Sequence, residues 1–156
     1  MTDQLKDDDR RARAHKIVDR LNEALLAHDM MAFADQWAPD GRMDFPFAPP
    51  GWPTLRSREQ VREYLRPFTH SVDIREIRHQ TRHETADPDI LILEWGVEGV
   101  ALATGRPYTV DYVAVLKVGP EGIEFYRDYW SPLTAGHALG QLGEMVAAIQ
   151  HEEAVL

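Results

Sequence analysis

The stretch Gly122-Ile123-Glu124-Phe125-Tyr126-Arg127-Asp128-Tyr129-Trp130-Ser131-Pro132-Leu133 decides how the rest of the chain is read. Aromatic and β-branched residues dominate it, Gly119-Pro120-Glu121-Gly122 forms a turn before it, and Ser-Pro follows, so it reads as a strand. Side chains alternate across a strand. One face therefore carries Ile123, Phe125, Arg127 and Tyr129, and the other Glu124, Tyr126, Asp128 and Trp130. The second face sets the Asp128 carboxyl between two aromatics that each have an apolar body and a polar tip, as in a small-molecule pocket. A carboxyl kept dry in such a place has its pKa pushed up and becomes a usable proton donor or acceptor. The competing reading is a half-exposed strand with Asp128 solvated or paired to Arg127 or Arg106.

Composition narrows what surrounds this strand. A chain of 156 residues is long enough for one domain with its own core. No apolar run approaches the length needed to span a bilayer, and the N-terminus is charged where a secretion signal would be apolar. With no cysteine there is no disulfide, thiol nucleophile or Cys-based zinc site. The formal charge of -9 argues against nucleic acid and anionic membrane partners, which need a concentrated basic surface. A soluble, cytoplasmic protein is expected.

Residues 1–9 read as a disordered or extended tail and residues 10–152 as a single domain. Arg11 to His28 places Ala14, Ile17, Val18, Leu21, Ala24, Leu25 and His28 on one helical face. A shorter helix from Asp29 puts Met30, Phe33 and Trp37 together and ends in an Ala38-Pro39-Asp40-Gly41 turn. Arg42 to Phe47 is a short strand, and the prolines that follow confine it to an edge or a loop over a pocket mouth. Ser57 and Gln60 form a capping box for a helix through Leu65. Strands follow at Val72–Glu84, at Ile90–Thr104 with bends at Gly96 and Gly99, and at Tyr108–Val118. A final helix is expected from about Ala135 to Glu152. Helices first and a meander last give an α+β fold, a curved antiparallel sheet wrapped on the N-terminal helices and enclosing a conical cavity.

This order resembles the NTF2-like superfamily of cone-shaped domains, and within it the SnoaL-like polyketide cyclase and phenazine-biosynthesis A/B branch. The resemblance covers about Ala12 to Gly140. It rests on Ala27-His28-Asp29…Trp37-Ala38-Pro39-Asp40-Gly41, on the hairpin Thr104-Gly105-Arg106…Val118, and on Tyr126-Arg127-Asp128-Tyr129-Trp130-Ser131-Pro132-Leu133. It implies the fold and, by position, a carboxylate role for Asp128, which matches the phenazine-type catalytic Glu and an epoxide-hydrolase catalytic Asp. The Arg-x-Asp of epoxide hydrolases is absent, its place taken by Gly96-Val97-Glu98. The ketosteroid-isomerase tyrosine falls at Leu21, and Asp44-Phe45-Pro46 stands one residue away from that family's Asp-Pro base. The phenazine-type partner His falls near Tyr64. A homodimer through the convex sheet face is implied by resemblance alone.

The candidate catalytic residues are thus Asp128, then Asp44 beside the Pro-rich rim, then Glu98 if its strand face lines the cone. Two carboxylates in unlike environments would supply an acid and a base together. The resemblance turns Val110 and Tyr112 inward as substrate contacts and leaves Asp111 outside. Tyr126, Trp130, Tyr64, Phe47 and Trp52 are candidate wall or lid residues, the alternative for each being plain core packing. His79 and His83 share a strand face, but at roughly 13 Å apart they cannot share a metal ion. No metal or cofactor is expected. The function that fits is acid/base chemistry (cyclisation, isomerisation or dehydration) on a small apolar oxygenated metabolite. The alternatives are a non-catalytic ligand-binding domain and an epoxide hydrolase.

Overall fold

A computed structural model describes residues 2–155. The chain runs α1 (Thr2–Leu26), α2 (Met30–Ala34), β1 (Trp37–Asp44), α3 (Arg58–Leu65), α4 (Phe68–Ser71), β2 (Val72–Glu84), β3 (Ile90–Ala101), β4 (Pro107–Gly119), β5 (Gly122–Trp130), α5 (Pro132–Leu139) and α6 (Leu142–Val155). The five strands form one sheet in the order β1-β5-β4-β3-β2. β2 to β5 are an antiparallel meander, as expected, and β1 adds to β5 in parallel at one edge. The inward face of the sheet packs on the helices in one core that runs from Ala14 and Val18 of α1 to Leu116 and Val118 of β4. No helix among the described residues is long and apolar enough to cross a membrane.

The expected apolar stripe of α1 is buried from Ala14 to Leu25. Two differences stand at its ends. The helix starts at Thr2, so the segment expected as a tail forms its first turns. Arg10, just after that segment, grips Asp89 of the β2–β3 turn with Nε and Nη2 at 2.9 and 2.8 Å, and Arg13 adds a third bond at 3.0 Å. At the other end His28 leaves the stripe, adopts φ +58 and hydrogen-bonds the Ile74 carbonyl at 2.7 Å.

Sequence punctuation accounts for most other boundaries. The Asp29 carboxylate accepts from the Ala32 N–H and Ser57 Oγ from the Gln60 N–H, each satisfying a donor that a helix start leaves open. Gln60 reaches back to the Arg56 N–H rather than to Ser57. Ala38-Pro39-Asp40-Gly41 is an irregular part of β1, where the register to β5 jumps between Trp37 and Arg42. Gly99 works by close approach. A Cβ there would stand 2.1 Å from the Asp73 carbonyl oxygen, so β2 presses against bare backbone and bulges opposite it. The expected single C-terminal helix is two, separated by Gly140, which caps α5 at φ +73.

The strand that opened the reading holds one bulge of its own. Phe125 pairs with Lys117, but Ile123 pairs with Val118, which leaves Glu124 as the extra residue. Parity flips there. Ile123 joins Tyr126, Asp128 and Trp130 on the inner side, while Glu124 turns out to meet Lys117 at 3.7 Å. Alternation counted from the other end of the strand had placed these two the opposite way.

Candidate functional site

The helices do not fill the concavity of the sheet. A cavity of about 170 Å³ remains, walled by residues from all the layers. β5 contributes Tyr126, Asp128 and Trp130, β4 contributes Tyr108 and Tyr112, and β3 contributes Trp95. Tyr64 of α3, with Phe45 and Trp52 of the Pro-rich segment, faces them. Met145 of α6 also borders the space. Among the described residues, Asp128 is the one charged side chain that lines it.

Asp128 sits where strand pairing puts it. Its β4 partner is Ala114, which is fully buried. Asp128 is half-buried as a whole, yet its Oδ1 is sealed from solvent and finds no hydrogen-bond partner among the described residues. Desolvation with nothing to compensate it raises the carboxyl pKa to about 7. The group can then both hold and release a proton near neutrality.

Tyrosines surround this acid. Tyr108 and Tyr112 share a hydroxyl–hydroxyl bond of 2.7 Å, and the Trp52 indole N–H donates to the Tyr64 hydroxyl at 3.0 Å. Burial raises Tyr64 and Tyr108 to about 12 and pushes Tyr112 and Tyr126 well above the usual phenol value, with the nearby Asp128 charge acting in the same direction in all four. All four stay neutral donors. Trp95 stacks on Tyr112 with ring centroids 5.0 Å apart, and its buried indole N–H lacks a partner among the described residues. Trp52 meets Trp130 edge-on at 5.4 Å, and Phe45 packs on Tyr64 at 4.9 Å.

Of the residues singled out from sequence, Asp128, Tyr112, Tyr126, Trp130, Tyr64 and Trp52 come together at this cavity. Four do not. Asp44 ends edge strand β1 beside Arg42, 3.4 Å away, outside the cavity. Glu98 is exposed on the outer face because Val97 and Gly99 take the inward positions on β3. Phe47 is 64% exposed and packs on Tyr129, which β5 turns to the outside. Val110 is buried in the core without bordering the cavity. The site therefore has one carboxyl, not two.

Among the wall residues not anticipated are Trp95, Tyr108 and Phe45. Trp95 follows Leu91 and Leu93 at period two, and Tyr108 shares a face with Tyr112, so alternation could have found both. Phe45 carries no such signal, because its direction is set by the irregular chain after β1. Among the described residues no three His, Asp or Glu side chains converge as a metal site. His79 bonds Asp111 at 3.0 Å and His83 bonds Glu94 at 2.6 Å, each with its own acid on the outer face.

Residues 18–123 match the SnoaL-like domain, a stretch that stops short of Asp128. An uncharacterized PhzA/B-like protein of Pseudomonas aeruginosa is 37% identical over 78% of this chain and 86% of its own length. A crystal structure from Bacillus subtilis, of a protein provisionally named an isomerase, superposes with a TM-score of 0.81 at 26% identity, covering 85% of this chain and 96% of that one. A phenazine biosynthesis-related protein of Pseudomonas aeruginosa superposes at 0.73 with 17% identity over 87% and 90% of the two chains, a likeness of fold alone. The roll, its meander and the matched domain agree: the chain belongs to the SnoaL-like family of the NTF2-like superfamily.

Proposed function

We propose that this protein is a cofactor-independent acid/base enzyme, a cyclase, isomerase or dehydratase, in which Asp128 moves a proton at a carbon next to a carbonyl or imine. The observation that supports this is the Asp128 carboxyl at the cavity wall, with Oδ1 unpartnered among the described residues and a pKa of about 7. A base must take a proton and return it as an acid, which works best when its pKa lies near the operating pH. Tyr112 and Tyr64, neutral and inward, are the hydroxyls available to donate to an oxygen that gains negative charge. The cavity is close to the roughly 150 Å³ that holds one benzene ring in an apolar protein interior, so the reading favours a single-ring substrate over a multi-ring polyketide. Epoxide opening is disfavoured because the Arg-x-Asp of epoxide hydrolases is absent and neither an arginine nor a second carboxyl lines the cavity among the described residues.

The test is exchange of the α-hydrogens of a small cyclic ketone in deuterated water, followed by NMR. Wild type is expected to exceed Asp128→Asn by about 10²–10⁴-fold, with a rate that rises as pH passes through about 7. Binding of the ketone without exchange would support the rival reading, a ligand-binding domain with no chemistry. We also propose a homodimer through the outer sheet face, which the exposed Val113 and the Phe47–Tyr129 pair support.

A further inference from the structure

The walls of the cavity bear on which ring compounds enter it. Asp128 has no arginine, lysine or histidine beside it among the described lining residues, so no protein cation answers its charge. The walls of the cavity are rich in aromatic rings: Trp52, Tyr64, Trp95, Tyr112, Tyr126 and Trp130. An aromatic face attracts a cation through its quadrupole, and the attraction strengthens when water is excluded. The protein as a whole carries a formal charge of -9, a field that draws cations and repels anions. A carboxyl without a counter-ion, inside an aromatic cage and an acidic molecule, is incomplete in one particular way.

We propose that the cavity selects a single-ring organic cation, a protonated amine or imine seated with its nitrogen on Asp128, and excludes carboxylates and phosphates. The proposal rests on the reading of this cavity as the ligand site and narrows it to a substrate class. A neutral ligand leaves Asp128 shared between its two protonation states near neutral pH, whereas a positive nitrogen supplies the missing partner and favours the ionised form. An anion would meet one negative charge and no positive one.

Trimethylanilinium and tert-butylbenzene have the same shape and differ in charge; benzoate supplies the anion. Their binding is to be measured by indole N–H shifts in NMR titrations of the intact protein. The cation is expected to bind about tenfold or more tightly than its neutral isostere, and benzoate not at all. Because the charge of this ligand is permanent, only the protein titrates. Its affinity should rise from pH 6 to pH 8 as Asp128 ionises, while Tyr64, Tyr108, Tyr112 and Tyr126, the other titratable groups facing it, stay neutral. Asp128→Asn should erase the preference for the cation and keep the affinity for tert-butylbenzene. Equal binding of the cation and its isostere at pH 8 would overturn the proposal and leave the cavity a ligand site, as would a cation affinity flat across pH in wild type, a measurement that needs no variant. If none of the three compounds binds, the proposal and the reading beneath it both fall.

Discussion

A carboxyl that has lost its water and gained no donor works against the fold whenever it ionises. Asp128 is held at about 7 in the native chain against 3.8 for the free group. Between those values the native state keeps the proton and the unfolded state releases it, so stability is greatest below about pH 4 on this account and falls as pH rises to 7. The loss is on the order of a few kcal/mol. Asp89 acts with the opposite sign. Its bonds to Arg10 hold its pKa below the ordinary value, so its contribution is present at neutral pH and disappears in acid. The melting temperature of wild type should therefore decline from about pH 5 to pH 7 and level off above it, and Asp128→Asn should flatten that limb without moving the acid limb. A decline unchanged in the variant would show that Asp128 is solvated. At this scale the sequence was informative where a side chain's neighbours on its own strand settle its direction. Asp128 follows from Tyr126 and Trp130. Asp44 was misplaced because nearness in sequence to a proline-rich rim does not decide which way a strand faces, and Glu98 because alternation alone does not say which face of β3 lines the cone.

The elements divide in a similar way. Helices α1 and α3 and strands β2 to β4 were legible because periodicity and capping residues agree over many residues. The disruptions at Gly96 and Gly99 were legible as well, although the extra residues fall on β2 opposite them, whereas the bulge in β5 and the break after α5 were not. The flip at Glu124 answers to Lys117, and the kink of β2 answers to Gly99. The split between α5 and α6 was masked by an apolar stripe that continues through Gly140. Gly99 gives the sharpest prediction here. Its would-be Cβ meets backbone, which cannot rotate away, so Gly99→Ala should cost about 1–3 kcal/mol by urea denaturation. Gly105 has open space where its Cβ would be, but its φ of +72 makes it a poor control. Gly143, with open space and no such strain, is the better comparison, and Gly143→Ala should be tolerated.

On the scale of the molecule, the acidic surface and the apolar funnel belong to one arrangement. The sheet turns Tyr108 and Tyr112 of β4 and Tyr126 and Trp130 of β5 inward and leaves ion pairs such as Arg78–Asp111 and His83–Glu94 outside. Val113 is the apolar exception on that outer face, 38% exposed beside Tyr129 across the β4–β5 pairing. If two chains meet there, sedimentation should give the mass of a dimer, and Val113→Arg should return a monomer with its fold intact. A wild-type monomer at high concentration would end that proposal.

The last helix sets the terms on which anything reaches the interior. Of the α6 residues whose side chains are described, Met145 is the one that is buried, and it is also a wall of the cavity; Val146 and Ile149 stand in solvent. A flexible thioether is thus the main buried attachment of the helix, just beyond a glycine in left-handed conformation, with Leu142 and Ala148 half-buried beside it. Withdrawing Met145 would remove one wall of the cavity without disturbing a strand, a local detachment less costly than unfolding.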